Sequence, residues 1–159
     1  MHWDGHAGLT LIIFSILLAA FGYNLNVLFL LAIALVVSFV PDFDLDSKYF
    51  DHRGRSHSGG VAIIVGLVFG SVMFYVKGLT WGLLGFFGGF GGYLSHLLGD
   101  LFTYRKFPIL WPFTNKEISL GMFKSEDYNG VFWWGGWICF IICFLATKGI
   151  LQSLISNLQ

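Results

Sequence analysis

The stretch GLLGFFGGFGGYLSHLLGDLFT, Gly82 to Thr103, is long enough to cross a bilayer yet ends in a histidine and an aspartate. At about 100° per residue, Gly82, Gly85, Gly89 and Gly92 share one helical face, which His96, Asp100 and Thr103 continue. Small residues at this spacing let helices approach closely in lipid, so the stripe should face protein and carry His96 and Asp100 into the interior of a bundle. Gly88 lies about 100° away from Gly89 and is expected to tolerate a larger side chain better.

The rest of the chain supplies the bundle. Of 159 residues 56% are hydrophobic, 19% aromatic and only 11% charged, less than half the charge of a soluble domain. The sequence therefore predicts an all-α, polytopic transmembrane helix bundle forming one membrane domain over residues 1–159. Spans are expected at about 8–23, 25–41, 60–76, 79–103 and 131–150, the first two short against the roughly 20 residues that a bilayer core requires. Pro41 removes a backbone donor where the second apolar run ends, and the short linker Asn24 to Asn26 makes the first two spans an antiparallel hairpin. An amphipathic extension after span five is expected, and no cleaved signal peptide, because no basic residue precedes the first apolar run. Net charge is zero, which excludes the basic field of a direct nucleic-acid binder. Cys139 and Cys143 lie one turn apart in an apolar run and read as small buried hydrophobes.

Threading five spans places the N-terminus and two polar segments, 41–59 and 104–130, at one face. All nine acidic residues and all five histidines then fall on that face or at helix ends opening to it. So do Lys48, Arg53, Arg55, Arg105, Lys106, Lys116 and Lys124, with only Lys77 and Lys148 opposite, which makes the charged face cytoplasmic. The later polar segment carries Phe107, Trp111, Phe113, Met122 and Phe123 between Pro108, Pro112 and charged residues, and reads as an interfacial lid that doubles as an aromatic anchor. Trp133, Trp134 and Trp137 read as a belt at the start of span five.

Ionisable residues at membrane depth are costly, point inward and find partners. His96 and Asp100, at i and i+4, can meet one metal ion, although such a pair alone is more often a hydrogen bond. Asp42, Asp44 and Asp46 crowd three carboxylates beyond a helix end, where a cation relieves their repulsion. A helix-loop-helix calcium site is excluded, since Ser47 and Arg53 stand where it needs glycine and glutamate. The segment DHRGRSHSGG, Asp51 to Gly60, adds His52 and His57 as neutral nitrogen donors and Arg53 as a fork for phosphate. Contact with anionic lipid headgroups is the competing account of Arg55, and a weaker one for Arg53.

His6, Pro41-Asp42-Phe43-Asp44, His52-Arg53-Gly54-Arg55-Ser56-His57-Ser58 and Ser95-His96 through Asp100 to Thr103, with Trp111-Pro112-Phe113 downstream, together resemble the membrane-bound, metal-dependent hydrolases, also described as LexA-binding, inner-membrane-associated hydrolases. The resemblance spans about Met1 to Gly121, with Ser56 where that family usually has threonine. It implies a prokaryotic plasma-membrane enzyme with a divalent metal. Combined with the residues, the expected ligands are His6, Asp42, Asp44, His57, His96 and Asp100, holding one or two ions of zinc or manganese. His52 and Arg53 are the candidate catalytic residues, and Arg53, Arg55, Ser56 and Thr103 the candidate substrate contacts. A site at the membrane edge beneath an aromatic lid points to phosphoester cleavage in a lipid or lipid-linked substrate, and leaves room for a homo-oligomer or a soluble cytoplasmic partner. The competing expectations are a metal or proton transporter, which needs polar stations through the whole depth, and a docking platform with a structural metal.

Overall fold

The computed structural model of the protein describes residues 1–44 and 53–147, with only the backbone of Asp44. Asp46 and His52, and the expected amphipathic extension after span five, lie outside the described residues. Five α-helices follow in order: α1 Trp3–Phe21, α2 Leu25–Val37, α3 Gly59–Lys77, α4 Leu79–Leu101 and α5 Asn129–Thr147, with a 3-10 turn at Val40–Asp44 after α2. The expected all-α bundle is what forms. Its first helix begins at Trp3 rather than near Gly8, which brings His6 inside the helix instead of ahead of it.

Local chemistry sets the helix ends. The Asn24 side chain accepts the Val27 amide at 3.0 Å to start α2, and Ser58 accepts the Val61 amide at 3.4 Å to start α3. Gly78 ends α3 at φ 82, a left-handed conformation that a side chain would strain. Ile109 and Trp111 complete the cap of α3, their carbonyls accepting from the Gly59 and Gly60 amides at 2.8 and 3.1 Å.

α4 is the central element and packs against α3, α2 and α1, while α5 lies against α1. Four segments among the described residues are long and apolar enough to cross a membrane: Trp3–Phe21, Leu25–Phe43, Gly59–Lys77 and Asn129–Thr147. α4 has 23 residues but a more polar composition, which its position permits because neighbouring helices rather than lipid cover much of it. The outward faces are apolar, including Ile64, Leu67 and Val72 of α3 and Ile138 and Ile142 of α5. Such a surface suits lipid and would be a liability in water.

The glycines of α4 divide between two partners. A Cβ at Gly85 would stand 2.7 Å from the Phe69 carbonyl oxygen, and one at Gly89 3.2 Å from Phe69 Cβ, so these residues admit α3. Gly92 instead meets the backbone of Ala34 in α2, and a Cβ at Gly88 would stand 2.9 Å from Ile33 Cβ. Gly88 is therefore buried against α2, contrary to the expectation that it would be the permissive position. One helix serves two partners here, and a single stripe cannot describe both. Gly8 and Gly136 give α1 and α5 a similarly close backbone approach.

Candidate metal centre

One end of the bundle gathers the N-terminal turn of α1, the 3-10 turn, the start of α3, the last turns of α4 and the segment from Thr103 to Asn129. The segment is tied down on both sides. Leu120 and Met122 donate to the carbonyls of Leu101 and Phe102 at 2.8 and 2.9 Å, and Phe107 exchanges backbone hydrogen bonds with Ile118 at 3.3 and 3.1 Å. Phe107 is fully buried beside His57, at 6.2 Å between ring centroids, whereas Phe113 is 90% exposed.

His96 and Asp100 are buried on adjacent turns of α4. The backbone carbonyl of Ser38 accepts a hydrogen bond from His96 Nδ1 at 2.8 Å, which keeps the proton on Nδ1 and leaves Nε2 as the lone-pair nitrogen. His96 Nε2 lies 3.5 Å from Asp100 Oδ2 and 3.5 Å from Asp42 Oδ1, while His57 Nε2 lies 3.7 Å from Asp100 Oδ2. Donors about 2.0–2.2 Å from one tetrahedral ion stand roughly 3.3–3.6 Å apart, so these separations suit a single zinc-like ion. His96 Nε2 and Asp100 Oδ2 are buried and find no hydrogen-bond partner among the described residues. Orphaned buried acceptors are expensive, and a cation satisfies both. Asp42, His57 and His96 form a group whose donor atoms lie within 4.8 Å of one another, and with Asp100 Oδ2 beside both histidines these side chains fit a divalent metal by chemistry and spacing.

His6 occupies a different position. With His96 and Asp100 it forms a second group whose donor atoms lie within 4.8 Å of one another. Its ring, however, stacks on that of His96 at 3.6 Å and 12°. An ion lies in the plane of the imidazole that binds it, and near-parallel planes at this distance cannot share one. His96 also has a single nitrogen to offer, so it serves one ion. His6 Nε2 instead lies 3.1 Å from the Met1 carbonyl and 3.4 Å from Asp100 Oδ1.

Asp100 uses its two oxygens separately. Oδ1 accepts from the Met1 amine at 2.7 Å and from Arg53 Nη2 at 2.6 Å, leaving Oδ2 toward His57 and His96. Arg53 also donates from Nη1 to Thr103 Oγ1 at 2.9 Å. It is 7% exposed and sits at φ 63, a conformation rare for a residue with a side chain and found where surrounding contacts enforce it. Arg53 and Thr103 are thus brought together inside the site, and Arg55 is exposed. Ser56 Oγ lies 3.4 Å from His57 Nδ1.

Sequence reasoning missed Tyr93, whose hydroxyl donates to the Ser56 carbonyl at 2.6 Å and braces the turn bearing His57. Its place one turn before His96 was the available signal. The Ser38 carbonyl, as a backbone group, leaves none.

No curated protein and no solved structure matches the chain. A family model described as YdjM inner membrane protein matches residues 1–155. Nearly the whole of this helical, membrane-spanning chain is covered, and it belongs to the YdjM inner membrane protein family.

Proposed function

We propose that the protein is a membrane-embedded, metal-dependent hydrolase that cleaves a phosphoester in a lipid or lipid-linked substrate at the cytoplasmic face. The observation that carries this reading is the convergence of half-buried Asp42 with buried His57, His96 and Asp100, where His96 Nε2 and Asp100 Oδ2 find no hydrogen-bond partner among the described residues. A divalent ion held there, zinc or manganese, would supply Lewis acidity and a water acidic enough to lose its proton near neutral pH. Ser38 holds His96 in the ligating tautomer, and Arg53 with the Met1 amine neutralises Asp100 while turning Oδ2 to the donors. Arg55, exposed and two residues before His57, would take a substrate phosphate. Thr103 keeps Arg53 in place, and the tethered segment around Phe107 shields the histidine side from water.

Transport finds little support. The buried polar side chains deeper than the donors, among the described residues, are Thr10, Ser15 and Ser95, too few for stations across the bilayer. The test is elemental analysis of the purified protein joined to a screen of phospholipid and lipid-diphosphate hydrolysis. Bound metal together with turnover that a chelator abolishes and zinc or manganese restores is the expected result. Stoichiometric metal without hydrolysis of any lipid phosphoester would leave a structural ion on a docking platform.

A further inference from the structure

Tyr93 is buried on α4, one turn before His96, in an apolar cluster with Val37, Ala62, Leu97 and Phe107. Its hydroxyl brings a polar group into that cluster, and a buried phenol needs a partner. The partner is the Ser56 carbonyl, which accepts from it at 2.6 Å. The His57 amide donates in turn to the Gly54 carbonyl at 3.1 Å. The peptide unit between Ser56 and His57 is therefore held at both ends, which fixes where the His57 ring leaves the backbone.

Resting on the metal-dependent reading above, we propose that Tyr93 is a positioning residue for the metal centre: by holding the Ser56 carbonyl, its hydroxyl sets where His57 Nε2 stands relative to the donors of α4. His96 and Asp100 belong to one helix, so α4 itself fixes their separation. His57 comes from the turn ahead of α3, and its Nε2 reaches Asp100 Oδ2 at 3.7 Å only if that turn is placed correctly. Tyr93 projects from the helix that carries the other two donors and ties the turn to it. Donor distances at a metal are set to within about 0.2 Å, so slack in the turn is felt at the ion. Phe107 and His96, with ring centroids 6.2 and 5.4 Å from that of His57, confine the rotation of the ring, and Ser56 Oγ lies 3.4 Å from its Nδ1. Tyr93 holds the backbone about which that ring turns.

Packing is the competing role for Tyr93, and it belongs to the ring. Tyr93→Phe keeps that ring in its cluster and removes one oxygen. The Ser56 carbonyl still accepts from the Ser58 amide at 3.0 Å, so the substitution strands no backbone acceptor, and Ser58 still caps α3 through the Val61 amide. What the variant loses is the tie between α4 and the His57 turn.

The experiment titrates the full chain in detergent with cobalt(II), whose visible absorption reports both binding and ligand geometry. Tyr93→Phe should bind cobalt about 10–100-fold more weakly than the unsubstituted protein and with an altered spectrum, while the metal-free forms of the two melt alike. In a His57→Ala background, where Asp42, His96 and Asp100 still give readable binding at higher cobalt, adding Tyr93→Phe should cost nothing further, because the residue it positions is gone. Affinity and spectrum unchanged in Tyr93→Phe would overturn the inference. So would an equal loss in the His57→Ala background, since Tyr93 would then act through something other than His57. Cobalt binding that follows this pattern while no lipid phosphoester is hydrolysed supports the inference and removes the hydrolase reading alone, whereas an unsubstituted protein that binds no cobalt removes both.

Discussion

At the scale of the residue, Asp100 shows how one carboxylate divides its work. Oδ1 takes the cationic partners and Oδ2 is left to the histidines. The stacked rings rank His6 and His96, two of the three buried histidines at that carboxylate, differently. His96→Ala and Asp100→Ala should strip bound metal from the purified protein, whereas His6→Ala, which disturbs Asp100 only from outside, should lower metal affinity by about 10–100-fold and leave binding at saturating ion intact. Titration with zinc followed by elemental analysis separates these cases, and equal loss in His6→Ala would restore it to the ligands. Arg53 gives a second prediction. Because it aims Asp100 from a strained backbone, Arg53→Ala should also weaken metal binding by about 10–100-fold. Arg53→Lys should recover only part, since an ammonium keeps the charge and loses the fork that reaches Asp100 and Thr103 together. Unchanged affinity in both variants would return Arg53 to the substrate.

At the scale of the element, glycine placement decides which helices touch. α1 and α5, distant in sequence, meet where Gly8 and Gly136 bring their backbones together, while a Cβ at Gly135 would have nothing within 4 Å. Gly136→Leu should therefore destabilise the bundle by about 1–3 kcal/mol or more, and Gly135→Leu much less. Thermal unfolding in detergent reads the difference, and similar melting temperatures for the two variants would refute the helix pairing. The cost matters to the site because α5 begins at Asn129, whose side-chain oxygen accepts the His2 amide at 3.0 Å beside the turn that carries His6.

At the scale of the whole molecule, the polar chemistry lies at one end. Met1, Arg53, Asp100, Thr103 and Ser125 are linked there by hydrogen bonds of 2.6–3.5 Å. The far end, at Gly22 and Gly78, carries Lys77 over the Trp81 ring at 4.3 Å. The basic asymmetry between the ends predicts that the site end is cytoplasmic. With Cys139 and Cys143 replaced, a cysteine at exposed Thr114 should resist an impermeant thiol reagent in intact cells and react after permeabilisation. One at exposed Thr80 should react from outside. The reverse pattern would invert the protein in the membrane.

Hydropathy and period are properties of neighbouring residues, so the sequence by itself determined the helical spans to within a few positions, the collection of polar segments at one end, and His96 and Asp100 on an inward face. Composition alone marked the chain as one that lives in lipid. Which groups converge was decided only by the tertiary structure, because convergence depends on how helices cross. Stacking sets His6 behind Asp100, Arg53 turns inward to a carboxylate far along the chain, and Gly88 is closed by a helix that the periodicity of α4 does not identify. A stripe on one helix records that something packs there; the backbone of the partner, which α4 does not encode, decides what.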